Sequence, residues 1–551
     1  MHRSLILPAF LLLCLNLLPS GEERQGGYVG SSTCAGCHAA IFKKYSVSPM
    51  ARTSGKVGSD SFQESLKTAK FTHAASGARY RVFRSQEGLA FEYSRRDPLS
   101  NQELRGERRL DYYIGSGAVG RSYALAQNGF LFQAPVSYYS APAKWEVSPG
   151  YQKTERIHLT RALEPDCLNC HASRLQHIAG TQNGYETVPF LEGGVGCERC
   201  HGPGASHTDQ LMLDTTLRAR AIVNPSKLAP ELRDGICAQC HLTGEARVAR
   251  KGRSLTSFQP GDRLADHVVS FVWSAGGPQE LKVTSHFEKL WQSQCKKTSG
   301  DRLWCGTCHD PHSVPMPEQR KEFFRQKCLS CHHDSACESP SKLREQSGDD
   351  CAFCHMPKGR AADAVHSVYT DHAIPRSVAR ARARNTVERK LVPFWDGTGW
   401  PRELGLAYAE VAVVEQKEAY FAQAQGLLQQ TTSEIPADPP VLEQLAFLHD
   451  RKGEDQKAVF YYEGALSARP AQVVSAINLG ALRAKRGDYR RAIALWEDAL
   501  ERNPGLELPR IYLAQAYLRL RNSSAARSAL HRALEYNPDS IAARRLLSEI
   551  K

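Results

Sequence analysis

The chain has 551 residues, 41% of them hydrophobic and 23% charged, with a net charge of +13. That length calls for two or three domains, and that composition excludes an intrinsically disordered chain. The positive excess is spread out, with no compact basic block interleaved with aromatics. It argues against a nucleic-acid partner and for an acidic redox protein or peripheral contact with an anionic membrane surface.

Residues 1–21 read as a secretory signal peptide. His2 and Arg3 precede an apolar run from Leu5 to Leu18, which exits through Pro19-Ser20-Gly21. The run is short for a membrane span. Cys14 follows Leu13, not the small residue expected before a lipidated cysteine. The expectation is an exported protein, periplasmic or otherwise extracytoplasmic.

Cys34-Ala-Gly-Cys37-His38 then opens a series that dominates the chain. Two thiols three residues apart reach the two vinyl groups of one porphyrin, and the adjacent imidazole meets its iron as proximal ligand. Between this motif and the next, residues of about 70–140 predict a small β-rich insertion. Arg79–Tyr93 alternates apolar and polar side chains around Glu87-Gly88, the pattern of a hairpin, and Phe130–Tyr139 adds further strand character.

Six more motifs follow: Cys167/Cys170/His171, Cys197/Cys200/His201, Cys237/Cys240/His241, Cys305/Cys308/His309, Cys328/Cys331/His332 and Cys351/Cys354/His355. A Cys-x-x-Cys pair alone also suits a zinc ribbon, a redox dithiol or a disulfide framework. None of those demands histidine at the next position seven times in seven. The implied cofactor is haem c, covalently attached at seven places, and such attachment agrees with export. Of the 17 cysteines, Cys295 and Cys337 remain in the mature chain outside any motif. In an oxidising compartment they are expected to form a disulfide.

Ten further histidines lie between residues 70 and 375, and low-spin electron-transfer haems need a second strong-field ligand. The candidate distal ligands are His73, His207, His286, His312, His366 and His372. His312, three residues after His309, is too close to serve the same iron and is assigned to a neighbouring haem. The seventh position falls to Met50, His158, His177 or His267, or stays open to a substrate.

With these residues in view, the chain resembles multihaem cytochromes of the cytochrome c-552/4 group, including those with a doubled Cys-x-x-Cys-His segment. The most specific pieces are Cys197–His207, Cys305–His312, Cys351–Lys358 and the closing His366–His372. The resemblance spans roughly residues 30–375. It implies haems packed in close parallel and perpendicular pairs in a loop-rich domain with short helices, along which electrons hop. Nitrite reductases and hydroxylamine oxidoreductases share related haem packing. This chain departs from the former in that every motif ends in histidine, none in the lysine of their catalytic haem.

A basic linker is expected over 376–404, carrying Arg376, Arg380, Arg382, Arg384, Arg389 and Lys390. Beyond it a period of 34 residues sets in. Pro436, Pro470, Pro504 and Pro538 keep it, as do Leu445, Leu479 and Leu513. So do Ala458, Ala492 and Ala526, and also Ala465, Ala499 and Ala533. This is the tetratricopeptide period. It predicts a solenoid over 405–551 with a degenerate repeat at 405–438, good repeats at 439–472, 473–506 and 507–540, and a cap at 541–551. The fold expected is mainly α: a seven-haem cytochrome domain over 22–375, then an α-solenoid whose groove binds a protein or peptide.

The function that follows is electron transfer along seven haems, with the repeats docking a redox partner protein. The alternative is an oxidoreductase acting on a small nitrogen or sulfur compound at one five-coordinate haem. Abundant histidines and seven unaltered motifs favour the carrier over the enzyme.

Overall fold

The computed structural model describes residues 27–58, 64–97, 101–209, 215–216, 221–274, 281–333, 337–362, 368–376, 389–395, 400–434, 437–468 and 472–550. The signal segment, His366 and Arg380, Arg382 and Arg384 of the expected linker lie outside the described residues.

The β-rich element is larger than its sequence signature. Its first sheet is an antiparallel meander of β2 (Lys70–Thr72), β3 (Arg79–Ser85), β4 (Gly88–Arg96) and β5 (Glu103–Leu110). The alternating stretch forms the β3–β4 hairpin, with Ser85 opposite Gly88 across the turn and Gly88 at φ 130°, a conformation glycine alone adopts freely. The second sheet contains β1 (Ser54–Lys56), β6 (Tyr112–Ile114), β7 (Gly120–Gln127), β8 (Phe130–Tyr139), β9 (Lys144–Val147) and β10 (Arg161–Ala162). Tyr80, Val82, Leu89, Phe91 and Tyr93 of the first sheet share one core with Tyr123, Leu125, Phe132, Val136 and Trp145 of the second. The two sheets therefore make a β-sandwich over 54–163, in place of the small insertion expected at 70–140. Strands β7 and β8 carry runs of buried residues, Tyr123–Leu125 and Ala134–Ser137, where strict alternation gives way, and their apolar side has the first sheet to cover.

The motif-bearing segments are mostly short helices and loops. Two small sheets brace them: β11 (Ala172–His177) with β12 (Tyr185–Gly193), and β13 (Ala246–Ala249), β14 (Val268–Trp273) and β17 (Leu391–Pro393). The strands β15 (Lys358–Arg360) and β16 (Val368–Thr370) pair after the last motif. The expected linker thus supplies a strand. Phe394 and Trp395, just after it, pack with Phe287 and Trp291.

Among the described residues nine helices form the solenoid: α1 (Pro401–Glu415), α2 (Glu418–Glu434), α3 (Pro439–Arg451), α4 (Asp455–Ser467), α5 (Val473–Lys485), α6 (Tyr489–Arg502), α7 (Glu507–Arg519), α8 (Ser523–Tyr536) and α9 (Ile541–Glu549). Ala458, Ala492, Ala526, Ala465, Ala499 and Ala533 are all fully buried, where a missing side chain lets paired helices approach. Gly453 and Gly487 turn the chain between paired helices at φ 72° and 82°. No described helix is long and apolar enough to cross a membrane.

The solenoid is fastened to the rest of the chain at both ends. At its start, the buried Arg402 donates to Ala249 O of β13 and pairs with Asp438, while Arg250 stacks over Trp400. At its end, the repeat turns dock on the sandwich and on the turn between β11 and β12. Asn503 donates to Gln182 Oε1, Thr160 bonds Asn537, and Tyr536 meets Phe132 edge-on. A Cβ on Gly505 would come within 2.5 Å of Phe132. The repeats are therefore built into the molecule and not hung from it by a linker.

Candidate functional site

Each motif starts in a turn of helix, which places the cysteines at i and i+3 along one side and histidine at i+4 above the first. His38, His201, His309 and His332 each donate a backbone N–H to the carbonyl of their motif's first cysteine at 2.9–3.1 Å. The fourth motif ends a twelve-residue helix, Pro230–His241, and Cys328 rides on Arg320–Leu329. All fourteen motif thiols are free to bond.

The histidines then pair across the structure. His38 and His207 lie parallel, with centroids 6.3 Å apart and planes 13° from each other. His201 and His312 are 5.9 Å apart at 12°, and His309 and His372 6.3 Å apart at 33°. These separations exceed direct ring stacking. An imidazole nitrogen sits about 2.0 Å from a bound first-row metal, so two rings on opposite sides of one metal have centroids roughly 6 Å apart. The donor set and its spacing fit bis-histidine haem iron.

Ring orientation agrees. His201 Nδ1–H donates to Val223 O at 2.8 Å, His355 Nδ1–H to Pro375 O at 3.1 Å, and His372 Nδ1–H to Thr370 O at 2.9 Å. A carbonyl partner fixes the proton on Nδ1 and leaves the Nε2 lone pair for a metal. His286 is brought to the same region in a different pose: edge-on to His241 at 5.4 Å and to His372 at 4.9 Å.

The remaining candidates are placed elsewhere. His73 is not brought to any motif. It is buried beside the sandwich, Nδ1 bonded to Ser76 Oγ at 2.8 Å and Nε2 to Gln152 O at 3.1 Å, so both nitrogens are occupied. His267 is similarly held by Ser257 and Asp262, and His177 bonds Thr181 O. His158 packs on Tyr151. Met50 sits in a short turn whose carbonyl accepts from Val195 N. Cys295 and Cys337 are not bonded to each other, which corrects the expected disulfide. Cys295, on helix Gln294–Ser299, neighbours the motif thiols Cys308, Cys328 and Cys331, while Cys337 is exposed.

The two thiols of a motif, equivalent in the sequence reading, are not equivalent in the fold. Cys37, Cys167, Cys331 and Cys354 are exposed, whereas the other motif cysteines are partly covered. Cys354 departs furthest from the symmetrical assignment. Its partner Cys351 meets Cys328 of the sixth motif, but Cys354 stands at the surface beside Phe353, itself 73% exposed. Helix Cys351–His355 rests on helix Arg320–Leu329, which brings Cys351 to Cys328.

Thiol neighbours give the motifs a spatial order. Cys34 meets Cys197, Cys200 and Cys170 both approach Cys240, Cys237 meets Cys305, Cys308 approaches Cys331, and Cys328 meets Cys351. The first motif therefore adjoins the third, the third and second adjoin the fourth, and the fourth, fifth, sixth and seventh follow in line.

Several residues that hold this order stand in the spacer positions, where sequence reading assigns no role. Glu198, buried, accepts from Val29 N at 2.9 Å, Gly30 N at 2.8 Å and Gly204 N at 2.8 Å, and so fastens the first motif's segment to the third. Arg199 Nη2 donates to Asn169 O at 3.1 Å and to Gln239 Oε1 at 2.7 Å, joining motifs two, three and four. The signal available beforehand was only that charged residues occupy positions between cysteines.

Comparison with known proteins adds two local matches. Residues 137–202, which contain the second and third motifs, match the family described as cytochrome c554 and c-prime. Residues 483–550 match a tetratricopeptide repeat family. No curated protein matches the chain. Among solved structures, a tetratricopeptide repeat protein from Parabacteroides merdae is 22% identical over 28% of this chain and 59% of its own, with a TM-score of 0.25. MamA is 14% identical over 26% of this chain and 81% of its own, TM-score 0.24. The Cut9–Hcn1 hetero-tetramer of APC/C is 22% identical over 26% and 30%, TM-score 0.24.

Proposed function

We propose that the chain is an exported c-type cytochrome that carries electrons along seven covalently bound haems, with its repeat solenoid presenting a surface to a redox partner. The observation that carries this reading is the set of three opposed histidine pairs, each combining one motif histidine with one distal histidine at 5.9–6.3 Å. Haem iron, when bound, supplies a one-electron couple that changes oxidation state with little rearrangement. The chain's own part is to fix position. His38, His201 and His309 with His207, His312 and His372 would hold the iron of three haems, and the backbone carbonyls of Val223, Thr370 and Pro375 orient the rings of His201, His372 and His355. The thiol contacts keep successive motifs adjacent, which suits short hops.

The solenoid offers exposed apolar side chains, Val414 at 79% and Phe460 at 69% exposure, for contact with a protein partner. The test of the whole reading is the mass of the secreted product made with a working maturation system: the processed polypeptide plus seven haems is expected. A mass equal to the bare polypeptide overturns it.

A second reading, a multihaem oxidoreductase acting on a small nitrogen or sulfur compound, is favoured by one observation. Among the described residues His171 stands in no opposed pair with a candidate distal histidine, its histidine neighbour being the motif residue His241, and its Nδ1 is buried without a partner. Carbon monoxide added to the reduced protein discriminates between the two. A reactive fraction near one-seventh supports an open second-motif haem, and no reaction removes the enzyme.

A further inference from the structure

Two arginines meet where three motifs converge. Arg199, inside the third motif, donates to the second motif's Asn169 O and to Gln239 Oε1 in the fourth. Arg247, on β13, donates from Nη1 to Gln239 O at 2.9 Å and from Nη2 to Ala238 O at 3.2 Å, the two residues between Cys237 and Cys240. Gln239 Nε2 closes the cluster by donating to Arg199 O. The Nε of Arg247 is buried and has no partner among the described residues.

The bonded acceptors are carbonyl and amide oxygens and, for Arg199, the Cys240 sulfur, so neither guanidinium is cancelled by a bonded carboxylate. The acids nearest Arg247 are Asp166 and Glu288. Neither is hydrogen-bonded to Arg247, and one Glu288 oxygen accepts from Gly244 N. Glu198, adjacent to Arg199, gives its oxygens to the three backbone N–H groups of the first motif's segment and Gly204. Cys170 and Cys200 both approach Cys240 beside these cations. A fixed positive charge in a poorly solvated site interacts over several ångströms more strongly than at the surface. Gaining an electron makes a redox centre one unit more negative, so such a charge favours the reduced form.

We propose that Arg199 and Arg247 form a buried cationic hub that holds the haems of the second, third and fourth motifs at higher potential than the rest, so that electrons collect at this junction. The inference rests on the multihaem reading. It deepens that reading by giving the wire a low point where the second motif branches from the line. Arg199 and Arg247 are positioning residues here, acting through charge and not by touching substrate.

The test is a spectroelectrochemical titration of the full secreted protein and of R199Q, R247Q, R199K and R247K, each with its haem count by mass. In the glutamine variants the high-potential portion, about three-sevenths of the absorbance change, is expected to become roughly tenfold harder to reduce. That is a shift of about 59 mV downward for one electron. The remaining portion stays in place, and the lysine variants, which keep the charge, retain the parent curve. Seven haems with an unmoved curve in both glutamine variants would overturn the hub while leaving the multihaem reading intact. An equal shift in the lysine variants, or loss of haem from both glutamine variants, would assign the arginines a structural role and overturn it as well. Failure of the parent protein to carry seven haems would instead defeat the reading beneath.

Discussion

Arg95 of the β-sandwich and Asp539 of the last repeat turn form an ion pair at 2.6 Å, with the aspartate side chain fully buried. Asp539 also accepts from Ile157 N at 2.8 Å and faces Arg544 at 3.2 Å. A buried carboxylate that collects two guanidinium groups and a backbone N–H is a fastening point, and it joins the end of the solenoid to the sandwich. Removing the carboxylate leaves Arg95 partly buried without its partner. Asp539→Ala is therefore expected to cost about 3–5 kcal/mol in denaturant unfolding. A loss below about 1 kcal/mol would show that the repeats are only loosely attached.

The distal histidines should be separable one at a time. His207→Ala, His312→Ala and His372→Ala each remove one ring of an opposed pair and leave the motif histidine and both thioether cysteines in place. Each variant is expected to keep seven haems and to gain one-seventh of its haem as a high-spin, carbon-monoxide-reactive species. His73→Ala is expected to gain none, because its nitrogens bond Ser76 and Gln152. A reactive haem in H73A, or none in the other three, would undo the pairing.

The contrast between His73 and His207 shows what the sequence could carry. Motif positions are legible because one Cys-x-x-Cys-His spacing recurs seven times, and the repeats are legible because close helix packing demands small residues every 34 positions. His207 and His312 lie in short turns directly after motifs, which is what marks them in the sequence, although the motif histidines they face, His38 and His201, are distant in the chain. His73 shares their residue type and its region of the chain, yet its neighbours are decided by long-range strand pairing. The different surroundings of Cys351 and Cys354 are hidden for the same reason: the motif prints both thiols alike, and tertiary packing covers one. Glu198, Arg199 and Gln239 stay invisible because the motif treats them as spacers. Asn503-Pro504-Gly505 and Asn537-Pro538-Asp539 read as ordinary helix-ending turns, and nothing in that pattern announces the surface on which they dock.

The two spare cysteines yield a sharper check. Since Cys295 neighbours Cys308, Cys328 and Cys331, and Cys337 is exposed, Cys337→Ser is expected to leave thermal stability unchanged. Alkylation of the unreduced native protein is expected to label Cys337. A bridge would block labelling, and its removal would cost about 2–4 kcal/mol.

The last turn between paired helices is the one that departs from its repeats. Gly453 and Gly487 occupy equivalent positions 34 residues apart with φ of 72° and 82°, and the next equivalent position is Arg521, exposed, at φ 60°. A left-handed backbone costs a side-chain-bearing residue roughly 1–2 kcal/mol, part of which glycine gives back through the greater freedom of its unfolded chain. Arg521→Gly is therefore expected to stabilise the C-terminal repeats by about 0.5–1 kcal/mol, read as a rise in the denaturation midpoint with an unchanged slope. Arg521→Val, branched at Cβ, should move the midpoint the other way. Equal stability for glycine and valine would show that this turn relaxes out of the left-handed region in solution.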